Sequence, residues 1–190
     1  MKRNKASSII LLAVSILSAT SAYSGGFSLK GTTWERAAAS AACKPDPLLL
    51  YSLALQESGH AVKRGFVAPH PYALRNAPSG AHYPETLDDA KSALQRYIAE
   101  DRLTDIGIMQ INYRWNAHRV KDPHELLNME VNIRVATDIL CESIRSNPVD
   151  LQLAIGGYHT MNPKRNVQAR TYALSVLKIW RSLKRLNAGA

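Results

Sequence analysis

The sequence predicts a mainly α domain of the α+β class, a bundle of helices with a small β-hairpin beside a cleft. Three observations predict it. Apolar residues recur at helical spacing in most segments beyond residue 32, one proline- and glycine-rich stretch from His60 to Pro84 interrupts them, and no internal repeat or low-complexity block is present. The 190 residues fit one ordinary domain plus a processing segment.

The first residues, "MKRNKASSIILLAVSILSATSAYS", combine a basic start (Lys2, Arg3, Lys5), an apolar run from Ile9 to Leu17, and the small residues Thr20 and Ala22 at cleavage spacing. That pattern predicts a secretory signal peptide over 1–22. A membrane anchor is the competing reading, but the run falls short of the roughly 20 residues a spanning helix needs. Residues 23–31 are expected to form a flexible Gly/Ser-rich lead-in to a domain spanning 32–186. "TTWERAAASAACK" predicts a first helix, with Thr33 as its candidate cap. In "PDPLLLYSLALQESGH", Asp46 suits the cap, Pro47 the first helical position, and Gly59 the end. The stretch from His60 to Pro84 predicts an irregular loop in which residues 72–74 and 81–83 pair across "RNAPSG". "ETLDDAKSALQRYIAED" returns to helix, with Thr86 and Asp89 in capping-box spacing. "TDIGIMQIN" is too apolar for an exposed loop. A long helix over "DPHELLNMEVNIRVATDILCESIRSNP", with Val131, Val135 and Ile139 recurring every four residues, precedes a short helix in "VDLQLAIGGYHT" and a long basic C-terminal one.

The formal charge of +9 falls to +6 without the leader, which carries three cations and no carboxylate. A basic exported protein favours polyanionic partners, cell-wall polymers and phospholipid head groups among them. No zinc-finger spacing and no Lys/Arg run interleaved with aromatics points to nucleic acid, which is not an expected partner. The six histidines show no metal-ligand spacing, and neither a metal nor a cofactor is implied. The two cysteines, Cys43 and Cys141, are expected to pair, since disulfides persist outside the cytoplasm; two separate buried thiols are the alternative.

One residue breaks the local rules. Leu50, Leu53 and Ala54 form an apolar stripe on one helix face, and the same stripe runs into Glu57. A carboxylate there faces the negative end of the helix dipole, and partial burial disfavours its charge further. Both effects raise its pKa, and a glutamate protonated near neutrality is what a general acid requires. The bland alternative is a solvated glutamate at a fraying helix end.

Three separated segments then bear a family resemblance. "ALQESGH" resembles the catalytic "ESG" segment of the lysozyme-like (SLT) lytic transglycosylases, and "DIGIMQIN" resembles their "GLMQ" segment with Ile for Leu. "AIGGYHT" sits where that family has Ala, Tyr and Asn. The order and spacing also match, over roughly Ala38 to Trp180. The resemblance extends to the small transglycosylases of conjugation and type IV secretion elements, where a "P(Y/W)xL" hairpin precedes "IDxGxMQxN", much as His70 to Asn112 do here.

The resemblance implies a lysozyme-like fold, a periplasmic location, and peptidoglycan glycan strands as substrate. It implies Glu57 as the catalytic acid, with Ser58, Gly107, Met109, Gln110, Asn112, Gly157, Tyr158 and His159 as substrate-binding residues. Ser58 would orient the carboxylate or the substrate, Gly107 would admit sugar close to backbone, Met109 would give an apolar contact and Gln110 an amide. Tyr158 would hold Glu57 or a sugar. His159 departs from the family's Asn: an imidazole can hydrogen-bond like an amide from one nitrogen, but it is bulkier and can charge. Components of an envelope-spanning secretion or conjugation apparatus are the implied protein partners of a chain expected to act as a monomer. Asp105 is the candidate second carboxylate: were it placed across the scissile bond, a hydrolytic muramidase would be the better reading. A wall-binding subunit without turnover is the reading from a different class.

Overall fold

A computed structural model describes residues 27–188; the leader expected over 1–22 lies outside them. The chain is mainly helical with small antiparallel sheets, in the order α1 (Thr33–Ser40), α2 (Pro47–Ser58), β1 (Gly59–Lys63), β2 (Phe66–Pro69), β3 (Leu74–Asn76), β4 (Gly80–His82) and α3 (Leu87–Glu100). Then follow β5 (Asp105–Ile106), β6 (Ile111–Asn112), α4 (Tyr113–Asn116), α5 (Met129–Ser146), α6 (Leu151–Gly156) and α7 (Asn166–Ala188). Short 3-10 turns at Ala117–Arg119, Pro123–Leu127 and Pro163–Arg165 join the later helices.

The α2 helix starts where its cap dictates: Leu48 N–H donates to Asp46 Oδ1 at 2.8 Å, with Pro47 at the first position. Leu50, Leu53 and Ala54 have no exposed surface, as the stripe requires. The other oxygen of Asp46 accepts from Trp180 Nε1 at 2.9 Å, which ties the start of α2 to the later part of α7. These two helices pack against each other, α7 packs on α6, and α6 on α5, while α1 bridges α2 and α5. Cys43 and Cys141 form a disulfide that fastens the approach to α2 onto α5.

The β region is larger than a single hairpin. β1 and β2 form their own antiparallel pair, and a four-stranded sheet runs β4-β3-β5-β6 with Leu74 opposite both His82 and Ile106. Pairing across "RNAPSG" is present, shifted to Leu74–Asn76 with Gly80–His82.

Several local expectations are corrected. Thr33 is not the α1 cap: Thr32 holds that place, and its hydroxyl donates to Leu29 O instead of serving the helix. Within the expected lead-in, Leu29 is buried and the Phe27 ring lies 5.3 Å from that of Tyr51, tilted by 40°. The helix expected from Asp122 breaks at Asn128, whose Oδ1 accepts from Glu130 and Val131 N–H and so caps α5 afresh. Of the expected α5 stripe, Val135 is fully buried together with Ile133, Ala136 and Leu140, while Val131 and Ile139 are only partly buried at its margins.

Candidate active site

The stripe of α2 delivers Glu57 to one side of a cleft of about 960 Å³. Gln110, Asn112, Asp105 and Arg75 face the cleft from the four-stranded sheet and its turn, and Gly157, Tyr158 and His159 from the end of α6. Trp115 on α4 is two-thirds exposed at its edge.

Glu57 keeps some contact with the cleft while protein closely surrounds its carboxyl. Burial is the largest influence on it and raises its pKa from the ordinary 4.5 to about 7. The Tyr172 hydroxyl, donating to Oε1 at 2.5 Å, opposes that shift, the Asp105 charge adds to it, and Arg75 opposes it weakly. Tyr172 itself titrates well above its ordinary range, through burial and the neighbouring Glu57 charge, so the phenol keeps its proton and remains a donor.

Tyr172 is the site residue that the motifs miss. It lies on α7, 115 residues from Glu57, at the edge of a buried stripe formed by Ala169, Ala173 and Val176. An aromatic with a polar tip beside an apolar helix stripe was the available signal. The contact between Asp46 and Trp180 at the other end of the same helix pair, with Lys184 Nζ 3.9 Å from the same carboxylate, holds α7 in register, so the two helices run antiparallel with polar ties at both ends.

Tyr158 was expected to hold Glu57 or a sugar. Its hydroxyl is instead committed to the Met109 carbonyl at 2.7 Å, fixing the end of α6 to the turn between β5 and β6. Ser58 also serves the scaffold: it is buried and donates to the Ile108 carbonyl at 2.6 Å, which binds the end of α2 to that turn. Met109 has no exposed surface and lies in the core, so its side chain offers nothing to a sugar. Gly107 is needed for a tight fit within the protein. Its φ is +77°, and an added Cβ would lie 2.4 Å from Asn132 Nδ2 and 2.5 Å from the Leu126 carbonyl oxygen.

Five of the residues assigned to substrate binding line the cleft, Tyr158 among them. Gln110, with φ at +48°, donates from Nε2 to the carbonyls of Ala73 and Gly107. Asn112 donates to Asp105 Oδ1 at 2.8 Å, and its own Oδ1 is buried without a protein partner. Gly157 lies so close to Ser143 that a Cβ would sit 2.0 Å from its Oγ. The His159 imidazole stacks on the ring of Tyr172, with centroids 5.0 Å apart and planes 11° from parallel. Asp105 carries a raised pKa, chiefly from burial, opposed by the Asn112 hydrogen bond and Arg75.

Chemically, the cleft lining presents one acid poised near neutrality, a second carboxyl from the four-stranded sheet, and amides and an imidazole. Among the described residues, no group of three or more His, Cys, Asp or Glu side chains is placed to hold a metal ion. The chain matches no family model, no curated protein and no solved structure.

Proposed function

We propose that the chain is a peptidoglycan lytic transglycosylase with a lysozyme-like fold. The observation that carries the reading is Glu57: a carboxyl at the wall of a large cleft, with its pKa raised to about 7 and one oxygen held by Tyr172. The family resemblance of the three motif segments gives that acid a substrate, the β-1,4 bond between N-acetylmuramic acid and N-acetylglucosamine.

In this mechanism Glu57 protonates the leaving glycosidic oxygen as the C1–O bond breaks. The resulting carboxylate then takes the proton from the muramoyl C6 hydroxyl while that oxygen bonds to C1, giving a 1,6-anhydro product and returning Glu57 to its acid form. Such a residue must exist in both protonation states within one turnover, and a pKa near working pH serves both steps. Tyr172 occupies Oε1, which leaves Oε2 to carry the transferred proton. The substrate's N-acetyl group would help stabilise the oxocarbenium-like state. The physiological role we propose is local opening of the wall in the periplasm for a conjugation or secretion apparatus. Export rests on the leader; none of the described helices is long and apolar enough to cross a membrane.

Asp105 favours a second reading, because it lines the same cleft and its charge acts on Glu57. A hydrolytic muramidase would use it as nucleophile or as base for water. Mass analysis of muropeptides released from purified peptidoglycan separates the two: anhydro products are lighter by one water. Glu57→Gln should abolish release with the fold intact, and retained activity would remove Glu57 as the acid. Binding to insoluble wall without any release would instead favour a non-catalytic wall-binding subunit.

A further inference from the structure

The resemblance puts an amide at position 159, where it would hydrogen-bond a sugar, whereas the structure lays the His159 imidazole flat on the ring of Tyr172. We propose that His159 is a positioning residue: by stacking on Tyr172 it holds the phenol on Glu57, and it does not act as a sugar-binding stand-in for an amide. This rests on Glu57 being the catalytic acid.

The backbone fixes the two rings against each other. Gly156, at the end of α6, meets α7 so closely that a Cβ on it would lie 2.2 Å from the Ala169 carbonyl oxygen. His159 follows Gly156 by three residues, and Tyr172 follows Ala169 by three. The chain after Gly156 is pinned by bonds from Gly157 N–H to Leu153 O at 2.8 Å and from His159 N–H to Gly156 O at 3.0 Å. The close helix contact therefore places residue 159 opposite residue 172.

The stack has a defined consequence for the acid. A phenol on a flat partner loses the freedom to swing its ring away, so its hydroxyl stays aimed at Glu57 Oε1. Burial, and then the Arg165 guanidinium, hold the pKa of His159 below its ordinary value, so the imidazole stacks as a neutral ring. An asparagine cannot supply this face. Phenylalanine can, while offering no hydrogen bond to a sugar.

That difference gives the test. The Glu57 carboxyl is followed by carbon-13 NMR titration of the full chain, with its resonance assigned by loss in Glu57→Gln, alongside kcat and KM on peptidoglycan. His159→Ala and His159→Asn should both raise the Glu57 midpoint by up to about 1 pH unit, because the Tyr172 bond that lowers it is loosened. Both should lower kcat about tenfold with KM little changed. His159→Phe should restore the midpoint and kcat. The proposal is overturned if all three variants leave the titration where it was, or if Asn restores activity and Phe does not, with the loss in KM. The titration needs no turnover, so a chain that cleaved no wall would sink the proposed reaction while the stack was still judged by the midpoint.

Discussion

Replacing Glu57 with glutamine should make the protein more stable above neutral pH. Burial raises the Glu57 pKa from 4.5 to about 7, so the folded state holds that proton more tightly than the unfolded chain does. The stability linked to this proton is fully present below about pH 4.5, declines as pH rises, and is gone above about pH 7. The change amounts to about 3 kcal/mol across that window, at about 1.4 kcal/mol per pH unit of displacement. Glutamine has no charge to desolvate, and its carbonyl can still accept from Tyr172. Relative to wild type, Glu57→Gln should gain about 3 kcal/mol between pH 4.5 and pH 7.5. Urea unfolding of both proteins at each pH, with the disulfide intact, measures the difference and cancels contributions such as that of Asp105 to first order. A pH-independent difference, or one that shrinks as pH rises, would refute the reasoning.

Asp105→Asn should lower the Glu57 midpoint, since the Asp105 charge now raises it; the alkaline limb of the pH–activity profile should move to lower pH with activity retained. Complete loss of activity would instead favour the hydrolytic reading. Gly107→Ala places a methyl against Asn132 and Leu126 at a positive φ, and should cost about 2–4 kcal/mol in denaturant unfolding. Removing the Cys43–Cys141 bond by a double serine substitution releases a span of 98 residues and should cost about 4–5 kcal/mol, read in the same assay.

The parts of the fold that depend on near neighbours were legible in the sequence. Asp46 and Pro47 announce the start of α2, Thr86 that of α3, and the stripe through Leu50 and Leu53 carries Glu57 to the wall of the cleft. The β1–β2 pair was not, because its strands are largely exposed and lack the alternation of a half-buried strand; only Arg64-Gly65, with Gly65 at φ +80°, marked the turn. Motif position also proved different from motif role. Ser58, Gly107 and Met109 stand where the resemblance put them, yet they build the β5–β6 turn and its tie to α2, while Gln110, Asn112 and Gly157 face the cleft. Tyr172 escaped notice because its partner lies on another helix, and no local pattern records that pairing.

A buried acid is a local cost, and the fold offsets it by fastening the elements around it. α2 carries Glu57, the turn after α6 carries His159, and α7 carries Tyr172. The Asp46–Trp180 bond ties α2 to α7, the Gly156–Ala169 contact ties α6 to α7, and the disulfide ties the approach to α2 to α5, on which α6 rests. None of these ties touches the carboxyl, so each can hold the helices without stabilising the charged form of Glu57. A cation closer than Arg75, or a second hydroxyl on the carboxyl, would also steady the site, but it would pull the pKa down and leave less of Glu57 protonated near neutral pH. The helix ties therefore supply rigidity without lowering the pKa. The direct bond from Tyr172 is the compromise: it orients the carboxyl at the expense of part of the upward shift that burial creates.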